Sequence, residues 1–169
     1  IAPTASISII CGGSSPGIEP IAANSFTHKT LSGSFNVRNK YLKKILQKYK
    51  KDTDEVWSSI TTNQGSVSHL DFLTAEEKDT FKTAFEIDQR WIVELGADRT
   101  PHISQAQSIN VFVPADIHKK ELHDIHFQAW KKGLKSLYYC RSKSIQRAEN
   151  VQAGSSTDVT KNVYSKEQE

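Results

Sequence analysis

The stretch Ser108–Cys140, SINVFVPADIHKKELHDIHFQAWKKGLKSLYYC, decides the fold class. SINVFV at 108–113 is a short apolar run rich in β-branched residues, and it reads as a strand that Pro114 closes. HKKELHDIHFQAWKKG at 118–133 has helical spacing, with Leu122, Ile125 and Ala129 turned inward. LKSLYYC at 134–140 then reads as a second strand. Strand, crossover helix and strand with short joints make a βαβ unit, whose two strands run parallel. Parallel strands are normally covered on both faces, so the unit implies more sheet than this chain visibly supplies. The fold class is therefore α/β.

Upstream the pattern is helical. Leu42, Ile45, Leu46 and Tyr49 fall at i, i+3, i+4 and i+7, with lysines on the opposite face. TDEVWSSI at 53–60 is a second helical piece, and Thr74 with Glu77 has the spacing of a capping box that opens a third. Phe81, Phe85, Trp91, Ile92 and Leu95 supply that third helix with an apolar stripe, which Gly96 would stop. Residues 24–35, NSFTHKTLSGSF, carry a turn signal at Ser32–Gly33 and fit a helix or extended chain equally well. At the start, Pro3 suits a helix N-terminus, Thr4 or Ser6 suits its cap, and Gly12, Gly13, Pro16 and Gly17 end whatever forms over Ser6–Ile10. No internal repeat is present. After Cys140 the polar run 141–169 has the composition of a disordered tail, so the domain boundaries are 1–140 and 141–169.

Composition narrows the function classes. The 169 residues carry 22 basic and 19 acidic side chains, a net charge of +3, and mean hydropathy of −0.53. That mixed balance speaks against a nucleic-acid or anionic-membrane grip, and the lysine run at Lys40–Lys51 reads as a solvated helix face. No stretch approaches the roughly 20 apolar residues of a membrane span, and no charged-then-apolar leader opens the chain. The expectation is a soluble, cytoplasmic protein. With Ile1 first and no methionine, the text reads as processed or as a piece of something longer. Cys11 and Cys140 have no metal or disulfide spacing and read as buried packing residues.

Several groups have chemical potential. The opening turn Thr4, Ala5, Ser6, Ile7 and Ser8 joins a helix start to small and hydroxyl side chains, which suits an anion as well as an ordinary cap. No GxxxxGK[ST] string is present, so a P-loop is unsupported. Tyr138 and Tyr139 on a regular strand would face opposite sides. Acting as a redox relay would require their rings to stack and share a hydrogen bond, and hence a local distortion of the strand. His118, His123 and His126 share a helix with interleaved lysines and read as a polar face, so no metal site is assigned. Asp98 and Arg99 before Pro101 read as loop residues, while Gln105, Gln107 and Asn110 place amides where a loop meets the next strand.

Four segments in order carry a resemblance: APTAS at 2–6, GIEPIAANSFTHKTLSGSF at 17–35, QAQSIN at 105–110 and WKKGLKSLYYCR at 130–141. Together, over about residues 1–148, they resemble the C-terminal part of the catalytic large subunit of class I ribonucleotide reductase, of the bacterial and phage type. The resemblance implies part of a ten-stranded α/β barrel, with a helical insertion, that reduces ribonucleoside diphosphates to deoxyribonucleoside diphosphates for DNA synthesis. It implies that Thr4, Ala5, Ser6, Ile7 and Ser8 cradle the substrate's diphosphate. Ile7 stands where many members have threonine. It further implies that Tyr138 and Tyr139 pass the radical equivalent. This segment would bind no cofactor itself, the metal-based oxidant belonging to the small subunit.

The same resemblance implies departures. The family's radical-bearing cysteine, its reducing cysteine pair and the ATP/dATP effector sites belong upstream, and its tail cysteines, which take electrons from thioredoxin or glutaredoxin, have no counterpart here. The chain alone is expected to be inactive. Its expected partners are the rest of the large subunit, the small subunit and the diphosphate substrate, with no nucleic acid and no membrane. Two other readings fit the same residues, a non-catalytic interaction module of the same descent and a small phosphate-binding domain.

Overall fold

The computed structural model describes residues 1–12, 15–31 and 33–143. The order of elements is α1 (Ala5–Ile10), β1 (Ser25–Thr30), β2 (Gly33–Arg38), α2 (Lys40–Lys48), α3 (Asp54–Thr62), α4 (Ala75–Thr80), α5 (Gln89–Arg99), β3 (Val111–Val113), α6 (Lys119–Lys131) and β4 (Cys140–Ser142). A single 3₁₀ turn at Thr100–His102 follows α5. Among the described residues, no helix is long and apolar enough to cross a membrane.

The strand–helix–strand reading holds, and β3 and β4 are parallel, with Val111 opposite Cys140 and Val113 opposite Ser142. The second strand, however, starts later than the sequence placed it. Residues 134–139 are spent on a Schellman turn, in which Leu134 N–H reaches Ala129 O across Gly133, and on packing Leu134 and Leu137 against the core. Pairing accordingly runs through Ser142, two residues past the boundary drawn at 140, and the tail read as disordered lies beyond the described residues from 144 onward. On α6, Ile125 and Ala129 are buried, while Leu122 is half-buried.

Within the stretch open in sequence, Ser25–Thr30 pairs antiparallel with Gly33–Arg38 as a hairpin in which Phe26 faces Val37. The hairpin leads into a helical block, matching the expected insertion. Asn39 caps α2 through Oδ1, Thr53 caps α3, and Leu42, Leu46, Trp57, Ile60, Val67 and Leu70 close a core of their own. A second core, formed by Val93, Ile92, Ile109, Val111, Val113 and Ile125, lies between α5, β3 and α6.

Thr74 and Glu77 form both bonds of the capping box. The long helix expected from there is two helices. Asn24 Nδ2 takes the carbonyl of Phe81, α4 ends, and α5 restarts only at Asp88, whose carboxylate caps it. Nor does Gly96 stop α5, which runs on to Arg99; a Cβ there would sit 2.6 Å from Ile109 Cδ1, so the glycine lets β3 approach. Asp98 and Arg99 are consequently in the last helical turn rather than a loop, and Trp91 and Leu95 are exposed. Cys11 and Cys140 are also exposed, contrary to the packing role expected of them: α1 buries none of its residues, and β4 is an open edge.

Thr74→Ala should cost about 1 kcal/mol in urea unfolding at neutral pH, since one helix-end donor loses its acceptor. Glu77 is held below its usual carboxylate range, first by the Thr74 N–H and also by Tyr49 and Lys48. Its support is therefore complete above the ordinary carboxylate pKa and is lost as pH falls through the depressed one.

Candidate functional site

The tyrosine pair owes its geometry to an irregularity in the β3–β4 ladder. In a regular parallel ladder at this register, Ile109 O would accept from Tyr139 N–H. Here Tyr138 N–H takes Ile109 O at 2.8 Å, and Val111 N–H donates to Tyr139 O at 2.9 Å. The displaced Tyr139 N–H donates instead to Asn110 Oδ1 at 3.0 Å. One extra residue has thus been absorbed, as in a β-bulge. The two rings consequently lie on the same side, with centroids 4.1 Å apart and planes at 49°. Tyr138 Oη donates to Tyr139 Oη at 3.3 Å.

Both rings are about half exposed. The bond to Tyr139 raises the Tyr138 pKa above that of an ordinary phenol, the Tyr139 phenolate and burial add to the rise, and Arg141 opposes it. The Arg141 guanidinium lies 5.5 Å from the centre of the Tyr139 ring.

Asn110 is itself buried, and its Nδ2 donates to Glu19 Oε2 at 2.6 Å. Glu19 sits in the GIEP segment, next to the opening turn. There Thr4 has left-handed dihedrals (φ 53°, ψ 31°), a strained choice for a β-branched residue. Its side chain does not cap α1 as expected. Thr4 Oγ1 accepts the N–H of Gly17 at 2.8 Å, which leaves its hydroxyl proton to donate outward. The N–H groups of Ala5, Ser6 and Ile7 stand in the first helical turn, where no intrahelical acceptor exists, and all three residues are exposed. Ser8 is partly covered, and its hydroxyl donates to Ala5 O at 2.8 Å.

The backbone of Ile1 lies beside the lead-in to β3, where Ser108 N–H donates to Ile1 O. A cavity of about 620 Å³ opens between α1 and the hairpin. Ala5, Ser8 and Ile9 line it on one side and Arg38, Lys40 and Arg141 on others, so Arg141 lies over the Tyr139 ring and also lines the cavity of the opening turn.

The remaining candidates have structural partners. Gln107 is buried, donates to Gly96 O and accepts from Arg99 Nε; Gln105 is exposed. His118 caps α6, His123 stacks on Phe127 and His126 Nδ1 lies 2.8 Å from Leu122 O, so the three do not converge. Among the described residues, no group of three or more His, Cys, Asp and Glu side chains could hold a metal ion. Sequence reasoning did not single out Glu19 or Arg141. The spacing of Glu19 from Asn110 gives no local signal, but both residues fall within segments that carried the resemblance.

Residues 1–140 match the family model described as ribonucleotide reductase, barrel domain. Over 155 residues the chain is 51% identical to the ribonucleoside-diphosphate reductase large subunit of Invertebrate iridescent virus 6, covering 89% of this chain and 16% of that protein. The corresponding protein of Invertebrate iridescent virus 3 is 46% identical, with 89% and 24% covered, and that of Caenorhabditis elegans 36% identical, with 83% and 18% covered. In structure the chain is similar to the Actinobacillus ureae class Id ribonucleotide reductase alpha subunit, with TM-score 0.76 and 42% identity over 85% of this chain and 26% of that one. The chain thus spans about a sixth to a quarter of the relatives' length. These relatives include viruses, a nematode and a bacterium, a wider spread than the bacterial and phage type read from sequence. A family match across residues 1–140 and the identity to large subunits place this chain in the ribonucleotide reductase barrel-domain family.

Proposed function

We propose that this chain supplies two parts of a class I ribonucleotide reductase site: a diphosphate cradle at Thr4, Ala5, Ser6, Ile7 and Ser8, and a radical relay at Tyr138 and Tyr139. The observation that carries the proposal is the ring pair, with centroids 4.1 Å apart and a phenol-to-phenol hydrogen bond. The small subunit's metal-based oxidant supplies the oxidising equivalent. When one tyrosine is oxidised, its electron passes toward that oxidant and its phenolic proton to solvent, to which both rings are half open, leaving a neutral phenoxyl. Its neighbour can restore both across the shared bond, so the hole moves one residue without charge building up in either ring.

At the cradle, free N–H groups of the first turn and the Thr4 hydroxyl proton are donors, which matches a phosphate's acceptor-only oxygens. Ile7 contributes its N–H alone. The remainder of the large subunit supplies the reactive cysteines and effector sites, thioredoxin or glutaredoxin returns the enzyme to its reduced state, and the work is cytoplasmic, serving DNA synthesis. A second reading, a non-catalytic interaction module of the same descent, draws on the exposed Trp91, Leu95, Phe127 and Trp130. It predicts that no cradle or tyrosine change alters turnover.

The cradle is tested in a large subunit carrying this chain, assembled with its small subunit. Ser6→Ala should raise KM for the ribonucleoside diphosphate about tenfold, and Ile7→Thr should lower it a few-fold, at similar kcat, because a hydrogen bond to a charged group contributes about 1.5–3 kcal/mol. Unchanged KM in both variants removes the cradle.

A further inference from the structure

Two adjacent residues on a regular strand present their side chains to opposite faces, so a Tyr138–Tyr139 pair with ring centroids 4.1 Å apart needs a specific cause. That cause is visible in the hydrogen bonds. Tyr139 N–H has left its ladder acceptor, Ile109 O, and bonds to the side-chain oxygen of Asn110, while Tyr138 N–H has taken over Ile109 O. The amide can do this in one orientation only. With Oδ1 toward Tyr139 it accepts; if flipped, its NH₂ would meet the N–H and both groups would be donors.

Glu19 fixes the choice, because a carboxylate accepts and cannot donate, and its Oε2 lies 2.6 Å from Nδ2. Asn110 is 3% exposed, so water does not compete appreciably for either end. Glu19 belongs to the segment whose Gly17 N–H is held by Thr4, so the clamp extends to the opening turn through short, ordered steps.

We propose that Asn110, oriented by Glu19, is a positioning residue that creates the bulge and so sets the two tyrosine rings against each other. Its importance for turnover rests on the relay reading above. Its effect on ring placement does not. Asn110→Leu keeps the approximate volume but offers no acceptor, so Tyr139 N–H returns to Ile109 O, the ladder becomes regular and the rings separate. Glu19→Ala frees the amide to flip and should act in the same direction with smaller effect. Glu19→Gln can still present an oxygen to Nδ2 and should retain the pair.

Two readouts separate the claims. In the 169-residue chain, ring-to-ring nuclear Overhauser contacts between Tyr138 and Tyr139 should be present in wild type and Glu19→Gln, weakened in Glu19→Ala and lost in Asn110→Leu. In the large subunit with its small subunit, Asn110→Leu should lower kcat about 100-fold, as expected for a misplaced reacting group, with KM within about twofold. Glu19→Ala should lower it about tenfold. Ring contacts that survive in both Asn110→Leu and Glu19→Ala overturn the proposal, even if Tyr139→Phe abolishes turnover. Rings that separate while neither Asn110→Leu nor Tyr139→Phe changes kcat leave the positioning intact and overturn the relay. If Asn110→Leu fails to unfold cooperatively, the Glu19→Ala and Glu19→Gln pair decides, and equal ring contacts in those two reject the clamp.

Discussion

With phenylalanine in place of Tyr139, a large subunit carrying this chain should form deoxyribonucleotide at background level, about a thousandfold or more below wild type. Phenylalanine has no phenolic proton and no accessible one-electron oxidation, and a barrier increase of only about 4 kcal/mol already reaches that factor. Tyr138→Phe should do the same, since Tyr138 is the donor of the shared hydrogen bond. Both rings are half exposed, so removing one hydroxyl should shift Tm by no more than about 2 °C, which separates lost chemistry from lost fold. KM for the diphosphate should stay within about twofold, because neither phenol belongs to the proposed cradle. Tyr138 holds its phenolic proton more tightly than an ordinary phenol, so its part in the relay should persist until the pH has risen above the ordinary phenol range. Deoxyribonucleotide formation measured by chromatography checks each point. Substantial turnover in either variant would eliminate the relay.

Local signals account for much of the fold. Helical spacing around Leu42 and Leu46, the Thr74–Glu77 capping box and the βαβ order of 108–140 are each carried by one contiguous stretch of sequence, and each is present. What sequence could not locate depends on distant partners. The break after α4 arises where Asn24, 57 positions away, takes the Phe81 carbonyl, and the glycine at 96 serves Ile109, whose Cδ1 a Cβ would meet at 2.6 Å, rather than ending α5. Either glycine or an apolar stripe, read alone, gives the wrong boundary.

The site divides along the same line. The need for a strand distortion at Tyr138–Tyr139 follows from the two-residue period of a strand, so the problem was legible in sequence. Its solution was not. Asn110 stood out only as one amide among Gln105, Gln107 and Asn110, and nothing local distinguishes the residue that captures Tyr139 N–H from Gln107, which serves the end of α5. Glu19 is 91 positions from Asn110. Cysteine burial failed for a related reason, since the preference of cysteine for interiors says nothing about an edge strand or a helix that packs no residue inward.

Asn24→Ala should be among the most destabilising single changes in the chain. Asn24 is fully buried, and its Nδ2 donates to the carbonyls of Gly65, at 3.0 Å, and Phe81, at 2.8 Å. Its Oδ1 accepts from Asn39 Nδ2 at 2.9 Å, while its backbone pairs with Gly65 O and Asn39 N–H. One side chain therefore joins the approach to β1, the ends of α3 and α4 and the cap of α2. Alanine keeps the backbone bonds but leaves Phe81 O without this donor and Asn39 Nδ2 without this acceptor. Each group so stranded costs about 1–3 kcal/mol, for a total of about 3 kcal/mol and a Tm lower by about 10 °C. Gly65→Ala should match or exceed this by a different route. Gly65 has φ of +82°, and a Cβ would lie 2.4 Å from Ala23 Cβ and 2.9 Å from Asn24 N, against backbone that cannot yield without moving Asn24. Because both changes act on one hub, the double variant should lose clearly less than the sum of the two singles. Urea unfolding of the two singles and the double provides the test. Full additivity, or a loss below about 1 kcal/mol for Asn24→Ala, would show that the hairpin and the helical block are held together by their apolar contacts instead.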